Sequence, residues 1–75
     1  MKPLSQFVKD KRKEAKLTQE EFAARAGVAL TVIRKIEQGK ENLNLGKVNR
    51  VLKMFGHLLV PVSSKDVFLK KETKE

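Results

Sequence analysis

Residues 17–39, LTQEEFAARAGVALTVIRKIEQG, constrain the fold of this chain more than any other stretch. They open on Thr18, with Glu21 three residues later. That spacing predicts a capping box: the Thr hydroxyl accepts one orphan backbone N–H and the Glu carboxylate accepts another. Leu17 and Phe22 flank the box where a hydrophobic staple would form. The helix so begun stops at Gly27, where left-handed backbone carries no Cβ penalty. A second helix, residues 29–38, runs on to a second stop at Gly39. Two helices joined by so short a turn cross steeply rather than lie antiparallel.

The charge balance says what such a pair can meet. Lys and Arg number 17 against 9 Asp and Glu, a formal net charge of +8 on 75 residues. A small domain this basic suits an anionic polymer or surface. Its second helix carries Arg34 and Lys35, and a steeply crossed helix is able to enter a major groove. With four Phe, no Trp and no Tyr, stacking platforms for single-stranded bases are poorly supplied. Seventy-five residues hold one domain, near the lower limit for a self-sufficient core, so an oligomer would help. No cysteine is present, which removes disulfides and zinc–thiolate sites and fits a cytosolic protein. Met1 to Phe7 has no apolar run of signal-peptide length. The longest apolar run, at 58–62, contains Pro61 and is far too short to span a membrane.

Four helices are expected, at residues 3–15, 18–26, 29–38 and 45–55. Pro3 suits a first helical position. Leu4, Phe7, Val8, Lys11 and Ala15 give the first helix its inner face, with the Lys11 stem laid along it. Phe22, Ala23 and Ala26 face inward from the second, and Ile33, Ile36 and part of Val32 from the third. Ala29 is a weak cap for that third helix, whereas Asn44 is a good one for the fourth. Leu45, Val48, Val51, Leu52 and Phe55 form the stripe of the fourth helix, which Gly56 ends. Residues 57–62, HLLVPV, read as a strand, confined to an edge by Pro61. A lone strand cannot satisfy its own backbone. Its natural partner is the same strand of a second copy across a two-fold axis, with Leu58, Leu59 and Val60 at the seam. The domain thus covers residues 1–62, and residues 63–75 are a charged, flexible tail.

LTQEEFA, AGV and VIRKIEQGK together resemble the helix-turn-helix of phage repressors and of the wider XRE family. The resemblance covers roughly residues 3–56. It implies an all-α, lambda-repressor-like bundle of four to five helices, here with a short C-terminal strand pairing across a dimer. FGHLLVPV at 55–62 is further similar to the C-terminal strand of HipB-type antitoxins, which bind a toxin kinase and repress their own operon. Carried over residue by residue, Gln19 matches the glutamine that holds a phosphate at the start of the second helix. Helix N–H groups at that place do attract anions. Leu30, Thr31 and Lys35 match base-facing positions, and Arg34 beside them reaches base or phosphate. Lys40, Asn42 and Asn44 match the loop on the DNA backbone. Arg12 and Glu37 match an ion pair tying the first helix to the end of the third. Phage repressors often place amides where this chain has Leu30 and Thr31. Direct readout would then rest mainly on Arg34 and Lys35, which suit guanine O6 and N7, and on DNA shape.

Catalysis has no support. Ser63 and Ser64 have no base partner, no glycine-rich phosphate loop occurs, and His57 stands as the single histidine, without partners for a metal. No cofactor is expected. Two function classes remain. One is an autonomous repressor of palindromic double-stranded DNA. The other is an antitoxin that neutralises a HipA-type toxin kinase and autoregulates. Both are cytoplasmic homodimers associated with the nucleoid. A third class is an RNA or nucleoid binder held by charge alone.

Overall fold

Pro3 sets the entry of the chain: at φ −66° and ψ 155° it caps the first helix rather than beginning it. In the computed structural model, which describes residues 2–65, that helix is α1, Leu4–Glu14. It is followed by α2, Gln19–Ala26; α3, Leu30–Glu37; and α4, Leu45–Lys53. Val8 is fully buried under α1, with Leu4 and Phe7 packed partly against the core. The Lys11 ammonium lies 5.7 Å from the Phe7 ring centroid, so its stem follows the apolar face as expected. Ala15 lies outside the core, on the turn that ends the helix.

That turn holds the one non-glycine residue with positive φ among those described, Lys16 at 58°. The Leu17 N–H reaches back to the Arg12 carbonyl at 3.2 Å, and this closure puts Lys16 in left-handed backbone. A Cβ there is strained by about 1 kcal/mol. Lys16→Gly is therefore expected to raise the thermal midpoint by about 4–8 °C in a domain of this size. A melt followed by circular dichroism checks it; an unchanged or lower midpoint would show that Lys16 makes compensating contacts.

The core sits around α3, which packs on α1 and α2, with α4 closing against α2 and α3. Phe22, Ile33, Ile36, Val8, Val48 and Val51 are its fully buried large side chains. Leu17 and Leu52 extend it, and the Phe22 and Phe55 rings tilt together at 5.6 Å between centroids. Each such side chain contributes about 1.5–3 kcal/mol of burial, which is how so short a chain holds four helices. Leu45, expected on the α4 stripe, is instead 67% exposed. It is the first residue of α4, and a helical side chain leans toward the N-terminus, here past the edge of the core.

Asn44 caps α4 by accepting the Lys47 N–H at 3.0 Å. The helix ends at Lys53, short of the expected Phe55, and Gly56 at φ 72° turns the chain. Beyond it, no strand forms among the described residues. A ladder needs a second edge, and a single copy offers none. The Leu59 N–H, expected to lack a partner in its own chain, donates to Asn49 Oδ1 of α4 at 2.8 Å. Leu59 turns inward against the core, while Leu58, Val60 and Val62 face out. The His57 ring meets Phe7 edge-on at 4.8 Å, and its Nδ1 lies 2.7 Å from the Phe55 carbonyl oxygen. Residues 66–75 of the expected tail lie outside the described residues.

Candidate nucleic-acid interface

The interface is built on the α2–α3 pair. At the head of α2 the capping box is complete. Thr18 Oγ1 accepts the Glu21 N–H at 3.1 Å, and Glu21 Oε1 accepts the Thr18 N–H at 2.8 Å. That second bond, from the Thr18 backbone, holds the Glu21 carboxyl below its ordinary range. At the foot of α2, Gly27 adopts φ 72° and ψ 34°. The Val28 N–H then closes on the Ala23 carbonyl at 3.1 Å, and the chain swings into α3. Ala29 caps α3 with no side-chain bond, as its chemistry dictates.

The register of α3 decides which side chains remain outside. Ile33 and Ile36 are buried, which leaves Thr31, Arg34 and Lys35 exposed on the opposite side. Leu30 is half-buried and packs partly on the core, so less of it is available outside than of its neighbour Thr31. Arg34 and Lys35 lie in the last turn of α3, where they also complement the helix dipole.

A cleft of about 230 Å³ opens between α3 and the head of α4. Thr31 and Lys35 line it from α3, Asn42 and Asn44 from the loop, and Lys47 from α4. Four of the residues singled out from the sequence thus meet at one place. Arg34, Leu30, Gln19 and Lys40 lie outside this cleft, with Lys40 exposed just beyond α3. Lys47 is an addition that the sequence motifs do not name. Its signal in the sequence is a cation in the first turn of a helix, where the dipole disfavours positive charge. An anion held beside it would reverse that penalty.

Behind α3 lies a bonded cluster. Arg12 Nε and Nη2 donate to Glu37 Oε2 and Oε1 at 2.7 and 3.1 Å, a bidentate pair. Arg12 Nη1 donates to the Leu17 carbonyl at 2.9 Å, and Gln19 Nε2 donates to Glu37 Oε1 at 3.0 Å. Burial alone would raise the Glu37 pKa. The bonds from Arg12 and Gln19 and the Arg12 charge outweigh it, and the carboxyl lies below its usual range. The same pair raises the Arg12 pKa. Gln19 is therefore oriented by Glu37, the last residue of α3. The Gln19–Glu37 bond thus ties the head of α2 to the end of α3.

No helix among the described residues is long and apolar enough to cross a membrane. No curated protein matches the chain. The sequence model of the helix-turn-helix family matches residues 8–58, from the middle of α1 to the segment after α4. With a capped α2, a left-handed glycine turn and an outward basic α3 inside that span, the chain belongs to this family and is a DNA-binding regulator of the XRE type.

Proposed function

We propose that the protein is a sequence-specific repressor that binds palindromic double-stranded DNA as a homodimer in the cytoplasm, on the nucleoid. The observation that carries this reading is the shared cleft: Thr31 and Lys35 of the exposed α3 face open onto Asn42, Asn44 and Lys47. A major groove filled by α3 would bring phosphates to the loop and to the α4 head. Thr31, Arg34 and Lys35, with the outer part of Leu30, read base edges. Gln19, Lys40, Asn42, Asn44 and Lys47 hold phosphates. Two copies of α3 about one DNA turn apart, roughly 34–36 Å, would read an inverted repeat. Selection from a random DNA pool tests this; sites without palindromy would refute the dimer.

Readout and positioning separate by mutation. Lys35→Ala or Arg34→Ala is expected to cost about 1–3 kcal/mol on the selected site and to relax preference at one base step. Gln19→Ala is expected to weaken cognate and scrambled duplexes alike, because phosphates carry no base identity. Filter binding on both duplexes decides it. Equal losses for Lys35→Ala on both would move Lys35 to the phosphate group.

The homodimer is assigned to residues 57–62, and the outward Leu58, Val60 and Val62 favour that assignment. Because Asn49 takes the Leu59 amide, pairing with a second copy would use the backbone of Leu58 and Val60 instead. Deleting residues 57–75 is expected to give a monomer with weak operator affinity, and deleting 65–75 to leave a dimer. Sedimentation equilibrium reads both; a dimeric shorter form would move the interface to the helices. The same exposed segment supports a second reading, an antitoxin that binds a HipA-type toxin kinase and represses their common operon. Co-expression with the neighbouring gene product tests it. Absence of a complex and of relief from toxicity would leave a stand-alone XRE repressor.

A further inference from the structure

The outward face of α4 carries a second, separate concavity. It is about 320 Å³, and Gly46, Asn49, Arg50, Lys53 and Leu58 line it. Gly46, Asn49, Arg50 and Lys53 follow helical spacing along the side of α4 opposite the buried Val48, Val51 and Leu52. No residue of this groove belongs to the cleft beside α3. Its chemistry is mixed in a particular way. Leu58 is 64% exposed on the rim, and Val60 and Val62 continue outward at every second residue, 61% and 56% exposed. Arg50 and Lys53 are exposed, and neither forms an ion pair among the described residues. Apolar side chains at a two-residue period, beside two exposed cations, complement an extended segment that alternates apolar and acidic residues. A second copy of this chain can pair along the backbone of Leu58 and Val60, but with a charge of +8 overall it does not complement Arg50 and Lys53.

We propose that this α4 groove, with Leu58 at its rim, docks an extended segment of another protein in which acidic and apolar residues alternate. The inference deepens the partner reading above and rests on it for there being a protein partner; it is independent of the DNA reading. The acidic side chains of the segment meet Arg50 and Lys53. Its apolar side chains pack on Leu58 and Val60 and on the stems of the two cations.

The probe is a labelled synthetic peptide alternating Asp and Val, with a Lys–Val peptide of equal length as control, read by fluorescence anisotropy on the full chain. The acidic peptide is expected to bind and the basic one not. Arg50→Glu with Lys53→Glu is expected to weaken the acidic peptide at least about tenfold. Leu58→Asp is expected to do the same, and the milder Arg50→Gln with Lys53→Gln pair guards against a folding defect. Failure of the acidic peptide to bind, or equal binding to the charge-reversed protein, overturns the proposal. So does a loss of operator binding in the Gln pair with peptide binding intact, which would make this face a DNA contact. The toxin arm fails separately. A toxin complex that survives Arg50→Glu with Lys53→Glu overturns this surface but not the partner. Charge-dependent peptide binding without a toxin complex upholds the surface and removes the toxin.

Discussion

Replacing Arg12 by Ala is expected to lower the stability of the fold by about 3 kcal/mol, because it leaves a buried carboxylate with its main partner gone. The Glu37 side chain is 3% exposed and the Arg12 side chain 14%. Neither can turn to water when the other is removed. The pH dependence carries the sign. In the native protein the Glu37 pKa lies below its ordinary value of 4.5, so its contribution is complete above that value and is lost as the pH falls through the lowered one. Without Arg12, burial is the largest influence and favours the protonated acid. The variant's Glu37 thus protonates at higher pH than the native one, and the stability gap is expected to narrow as the pH falls from that raised value through the lowered native value. Urea unfolding at neutral and acidic pH measures it; a loss under about 1 kcal/mol at neutral pH would make the pair a surface contact. Replacing both partners, Arg12→Met with Glu37→Leu, is expected to restore most of the stability. It would still unanchor Gln19, so DNA affinity should stay below native while the fold recovers.

Phe22→Ala is expected to cost about 3–5 kcal/mol, much of the stability available to a domain of this size. Phe22 is fully buried on α2 and touches Phe55 beyond α4, so its loss opens a cavity between the α2–α3 pair and the end of α4. Phe7→Ala is the control. Phe7 is half-buried and packs at the margin with Lys11 and His57, so a smaller loss follows. Thermal melts of the two variants decide it; equal losses would mean that the core extends further toward α1 than burial indicates.

The features legible in the sequence are those whose cause lies within one helical turn. Thr18 and Glu21 cap α2 because each satisfies the other's neighbourhood, and Gly27 and Gly39 stop helices for a reason held in their own backbone. The inner faces of α2 and α3 follow from period alone. Arg12 and Glu37 differ: 25 positions separate them, and the family resemblance, not any local rule, pairs them. Leu45 misleads because a period records which side of a helix a residue takes, and not whether core lies under that end. The segment 57–62 misleads differently. Its apolar composition signals an extended chain, but nothing local announces that Asn49, ten positions earlier, will accept the Leu59 amide. Lys47 does leave a local trace, its mismatch with the helix dipole, but a motif built on α2 and α3 stops short of it.

The Asn49 clip has a consequence for how fast and how cleanly anything joins this protein. With Leu59 bonded to α4 and His57 set edge-on against Phe7, the segment 57–59 takes its shape during folding. A second copy or a peptide that adds to its outer edge meets a template already in place. Little conformational entropy remains to be removed at encounter. Association should then lack the calorimetric mark of coupled folding, a heat-capacity change larger than the contact area explains. Its rate constant should fall in the rigid-docking range of about 10⁵–10⁷ M⁻¹s⁻¹. Asn49→Ala would convert that docking into a search by a loosened chain, while trimming one side chain from the wall of the α4 groove.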